Sequence, residues 1–82
     1  DDSVALVSDA GGITLQSPAT KGVIISNGTQ APGIYVGAGS PDTVLTAPKG
    51  SLYLNTTGSI TTDRAFINTD GVTAWTGIST AA

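Results

Sequence analysis

Apolar residues recur along this chain in short alternating pairs, each bounded by residues that favour turns. Val4 and Leu6 precede Ala10-Gly11-Gly12, and Ile13 and Leu15 precede Ser17-Pro18. Val23 and Ile25 lead to Asn27-Gly28, while Ile34 and Val36 follow Pro32-Gly33. Leu52 and Leu54 follow Pro48-Lys49-Gly50, and Phe66 with Ile67 leads to Asp70-Gly71. A period of two sends successive side chains to opposite faces of a strand. Helical periodicity is missing, because Gly and Thr interrupt almost every candidate window. The pattern predicts an all-β fold: a small antiparallel domain, sandwich-like or barrel-like.

The sharpest local signal lies toward the C-terminus. The run Ala47–Ser59, answered by Arg64–Thr76, reads as strand, loop, strand, tight turn, strand, a three-strand meander with Asp70-Gly71 as a tight hairpin turn that Gly71 permits through positive φ. Upstream, the first four apolar pairs begin at residues 4, 13, 23 and 34, a spacing of about ten with no repeated motif. Successive short strands of an ordinary β domain explain it first, and stacked turns of a fibrous triple-stranded β-helix second. The segment Gly37–Asp42 carries Gly and Pro but no periodic apolar residue. It therefore reads as a connection between short strands over 1–38 and the meander over 43–78, within one domain spanning 1–82.

Size raises a problem that this pattern does not solve. At 82 residues the chain makes one small domain, able to bury roughly 60% of its unfolded surface. Cysteine and histidine are both absent, so neither a disulfide nor an ordinary zinc site can staple the fold. Oligomerisation is the remaining usual remedy. Only 11% of residues are charged, against about 25% in an average domain, so Thr, Ser, Asn and Gly must supply the polarity. With net charge −3 and only Lys21, Lys49 and Arg64 as cations, no electrostatic footprint for nucleic acid is present. Nor does any stretch approach the roughly 20 apolar residues of a membrane helix. Asp1 in place of Met points to a processed protein or a piece of a longer one.

Candidate chemistry is thin. All six acids are Asp, and most stand beside turn residues, where the carboxylate bonds to nearby backbone amides. Asp63 and Asp70 flank one strand and are the sole candidates for a catalytic carboxylate pair. A turn role is the better reading of each, and an enzyme is not expected. Asp1-Asp2-Ser3 and Asn68-Thr69-Asp70 offer too few ligands for calcium, so no metal or other cofactor is expected. Gly37-x-Gly39 precedes Pro41 rather than a helix and fails as a phosphate loop. The sequons at Asn27 and Asn55 match what chance gives in an Asn- and Thr-rich chain. Of the aromatics, Phe66 and Trp75 are expected to pair across their hairpin and fill the core.

The run Pro48-Lys49-Gly50-Ser51-Leu52-Tyr53-Leu54, followed by a Thr/Gly-rich loop, a strand, Asp70-Gly71 and Trp75, resembles a module of tailed-bacteriophage virion proteins. It occurs there near the ends of head decoration proteins and tail fibres. The resemblance spans residues 47–76; the family more often has Arg-Thr-Asp where this chain has Asn55-Thr56-Thr57. It implies a homotrimeric decoration or cement protein on the outer surface of the capsid, with the major capsid protein as partner and neither nucleic acid nor membrane involved. Leu52, Leu54, Phe66, Ile67 and Trp75 are then the candidates for core or trimer packing. Asp1, Asp2, Val4 and Leu6 are the candidates for capsid contact, as an extended arm that adds to a neighbouring sheet. A tail fibre or spike segment that binds a host receptor shares the resemblance. The shortness of the chain beyond Trp75 favours the head. A monomeric extracellular carbohydrate-binding module is the alternative from another class.

Overall fold

The computed structural model describes residues 6–8 and 10–81, and among them no residue is helical. Five strands, β1 (Val23–Ile24), β2 (Gly33–Gly37), β3 (Leu52–Asn55), β4 (Ala65–Asn68) and β5 (Trp75–Gly77), form one sheet in the order β1-β2-β3-β4-β5. The all-β expectation holds, and so does the C-terminal meander, since β3, β4 and β5 pair antiparallel in sequence order.

The sheet departs from the antiparallel expectation at one seam. β2 runs parallel to β3, with Tyr35 beside Tyr53 and Val36 beside Leu54. Apolar alternation fixes which face a side chain takes and says nothing of strand direction. Direction is set by the connection, and parallel neighbours require a long crossover. Residues 38–51 supply it. Pro41 O accepts from the amides of both Val44 and Leu45, and the crossover is held to the loop between β4 and β5. There Thr43 N donates to Thr73 O and Ala47 N to Val72 O.

The Ile13–Leu15 run forms no strand. Leu6, Ile13 and Leu15 lie exposed in irregular backbone, and Val4 lies outside the described residues. Gly11 and Gly12 both take positive φ, which breaks any extended run between these pairs. The hairpin connection is also longer than a tight turn. Residues 69–74 separate β4 from β5, and of Asp70 and Gly71 only Gly71 has positive φ, whereas a two-residue I′ turn needs both.

One face of the sheet carries the core. Tyr35, Tyr53, Phe66 and Trp75 are buried there with Ala47, and Leu45 packs against them from the crossover. The rings of Tyr35 and Tyr53 both meet Trp75 edge-on, at centroid distances of 6.2 and 5.8 Å, and Tyr53 meets Phe66 at 6.2 Å. Such edge-to-face pairs add about 0.5–1.5 kcal/mol each beyond burial. Phe66 lies opposite Gly77, and Trp75 opposite Asn68. The expected Phe66–Trp75 pair is therefore bridged by Tyr53 rather than formed directly.

Candidate functional site

The carboxylates come first, because they were the only candidates for chemistry. Asp63 Oδ1 accepts from the amides of Ser59 and Ile60 at 3.0 and 2.8 Å. Asp70 Oδ1 accepts from Val72 and Ala74 at 2.7 and 3.1 Å. Asp42 Oδ1 accepts from Trp75 N at 3.0 Å, pinning the crossover to the start of β5. Each of these three carboxylates thus closes a loop. Among the described residues no three His, Cys, Asp or Glu side chains gather as metal ligands. The head of Arg64 is bound to Thr80 Oγ1 and Ala81 O.

The buried polar side chains are Ser51 and Asn68, at 0% and 1% exposure, and both do structural work at the aromatic face. Ser51 Oγ accepts from Gly33 N at 3.0 Å, joining the start of β3 to the start of β2. Asn68 Oδ1 accepts from Asp70 N and Gly71 N, while its Nδ2 donates to Val72 O. Asn55 links three loops in the same manner. Its Oδ1 accepts from Gly39 N and Thr57 N, and its Nδ2 donates to Asp63 O at 2.7 Å. The position at which this chain departs from the phage pattern therefore has a definite role in holding its loops.

The opposite face of the sheet is built differently. Strand register places Ile34 beside Leu52, Leu52 opposite Ile67, Val36 beside Leu54, and Ile67 opposite Thr76. Val23 extends this face through its pairing with Ile34, and Ala65 through its pairing with Leu54. Val36 is 59% exposed, Leu54 42%, Ile67 40% and Ile34 39%. Every position on this face except Thr76 is apolar, and none is charged. At its β2 margin a cleft of about 340 Å³ opens between Leu15–Lys21 and the strand residues Val23, Ile34 and Val36.

The five candidates for core or trimer packing thus fall on opposite sides of the sheet. Phe66 and Trp75 are in the aromatic core, whereas Leu52, Leu54 and Ile67 form the centre of the aliphatic face, with Leu52 half-buried. Of the capsid-contact candidates, Asp1, Asp2 and Val4 lie outside the described residues, and Leu6 is exposed with no strand around it. Tyr35, Ser51 and Asn68 were missed as organisers. For Tyr35 the signal was available: with Gly33 before it and Tyr53 in the same phase of another strand, it falls on the aromatic side of the alternation. Gly22 and Gly33 leave room for its ring, since a Cβ at either would come within 2.9 Å of it.

Comparison of the chain with protein-family models, with curated proteins and with solved structures returns no match. The functional reading therefore rests on the residues themselves.

Proposed function

We propose that this chain is a structural subunit of a tailed-phage virion, a decoration or cement protein that binds the assembled head from outside. The observation that carries the reading is where the residues of the phage-like pattern fall. Gly50 and Gly71 take positive φ, Ser51 joins two strands, and Tyr53 and Trp75 form the centre of the aromatic cluster. Gly50, Ser51, Tyr53, Gly71 and Trp75 thus fall at positions that determine this fold, while Leu54 lies on the exposed face. The carboxylates Asp42, Asp63 and Asp70 are all engaged with backbone amides, which supports a non-catalytic role.

In this reading three copies form a trimer, the major capsid protein is the partner, and exposed Leu6 belongs to the arm that reaches it. A subunit that binds only the assembled lattice stabilises that lattice by mass action, by about 2.7 kcal/mol at a hundredfold excess over Kd. All four aromatic rings are buried, so none offers the exposed stacking strip that a carbohydrate-binding module would use.

Immunogold electron microscopy of the parent virions, with antibody raised against this polypeptide, tests the proposal. Label scattered over the head is expected. Label confined to the tail tip would replace it with the fibre reading, and unlabelled virions would overturn both.

A further inference from the structure

This sheet is apolar on both sides, and only one side is covered. The crossover closes the aromatic face. Over Ile34, Val36, Leu54 and Ile67 the described chain lays nothing that buries them. An antiparallel or mixed sheet with one solvated face ordinarily alternates apolar-in with polar-out. Here the alternation is aromatic-in with aliphatic-out, the pattern of a strand that is buried on both faces.

We propose that the aliphatic face is the surface on which a second copy of this chain packs, sheet against sheet. The inference rests on the reading of the chain as an assembly subunit and names the surface that reading requires. Area supports it. Surface scaling gives about 4,500 Å² for a folded monomer of this mass. The chain exposes 5784 Å², a surplus of about 1,300 Å², against the roughly 800 Å² that a standard interface takes from each partner.

The character of the face selects the occupant. Transient interfaces are about as apolar as the rest of a protein surface, whereas permanent homo-oligomeric ones resemble a core cut in half. The strand positions of this face carry no charge and only Thr76 is polar, with Lys21 as the charged residue of the cleft beside β2, so the face itself offers little with which to choose a charged or polar partner. It is complementary to another copy of itself. Sheets packed face to face lie about 10 Å apart with interdigitated aliphatic side chains. The second layer of a sandwich, which a single copy does not build from its described residues, is then supplied by the neighbour.

The test is the mass of the purified chain in solution, by light scattering and native mass spectrometry. The wild type is expected at a multiple of 8.1 kDa. Val36→Lys and Ile67→Lys are expected to lose association and run at the monomer mass, while near-ultraviolet circular dichroism still reports the Tyr–Trp cluster. Val72→Lys, on an exposed loop away from the face, is expected to stay assembled. A monomeric wild type, or Lys variants that remain assembled, would overturn the proposal.

Should the Lys variants fail to fold, single thiols answer the question, because the chain has no cysteine. Labelling at Ile67→Cys is expected to be slower than at Val72→Cys by about tenfold or more, since the former is reachable only in the dissociated fraction. Equal rates would overturn the proposal. A dimer in place of a trimer would uphold the face and correct the copy number. Association with no label on any virion would uphold the face and overturn the virion role, whereas a head-bound monomer would do the reverse.

Discussion

Trp75 joins the elements of this molecule more than any other residue. Its ring meets both tyrosines, its amide donates to Asp42, and its indole Nε1–H donates to Leu45 O at 2.8 Å. Trp75→Ala removes the largest buried ring and is expected to cost about 3–5 kcal/mol, read as a fall in the urea midpoint. An unchanged midpoint would refute its placement in the core. Trp75→Phe keeps much of the packing and loses the indole hydrogen bond to the crossover, which separates the two contributions. Its polar counterpart is Asn68, which stands in the sequence as one more polar residue of an Asn- and Thr-rich chain. Only the structure shows both ends of its amide satisfied within one loop. Asn68→Ala would release the amides of Asp70 and Gly71, at about 1–3 kcal/mol for each that finds no water, while Val72 O keeps its bond from Ala47 N. A stability loss of less than that for any single group would mean that solvent reaches the loop. No composition or spacing argument finds such a residue, because its importance lies in the three backbone groups brought around it.

At the scale of elements, what the sequence conveyed was strand phase, and what it withheld was partnership. Leu52, Leu54, Phe66 and Trp75 all lie in strands that alternation marks. The same alternation at Ile13 and Leu15 marks a segment for which the described residues provide no partner strand. The parallel seam between β2 and β3 was equally out of reach, because it follows from the path of residues 38–51 and not from their periodicity. Cover over the face of β5 is another property that emerges only from assembled elements. Thr80 N donates to Thr61 O at 2.7 Å, and a Cβ at Gly77 would run into Thr62 O, so the loop from Ser59 to Thr62 lies directly against β5. Gly77→Ala is therefore expected to push this loop away, at about 1–3 kcal/mol. Faster hydrogen exchange at the Thr80 amide would be its local signature. Exchange as slow as in the wild type would show that the loop can give way without detaching.

For the whole molecule, the decisive quantity is the ratio of apolar surface to core. Among the described residues five hydrophobic side chains are buried, Tyr35, Ala47, Tyr53, Phe66 and Trp75, while aliphatic side chains spread over the opposite face remain in contact with water. Composition already pointed this way: a chain of 82 residues with no cysteine and no histidine has few other means of stabilising itself. It did not show that aromatic and aliphatic residues would divide between the two faces, which follows from the register of β2, β3 and β4. If copies close over the aliphatic face, folding and association are linked, and the thermal midpoint must rise with protein concentration. Each tenfold increase contributes about 1.4 kcal/mol per partner bound. Because no charge lies on that face, the midpoint should barely respond to ionic strength between about 0.05 and 0.5 M, a range that screens exposed ion pairs strongly. Association should weaken on cooling and carry a negative heat-capacity change, as burial of aliphatic surface requires. Calorimetry across a concentration series checks all three. A midpoint independent of concentration would return the protein to a monomer with one bare face, whereas a midpoint that rises with concentration and falls steeply with salt would place the contact on the few charged positions instead.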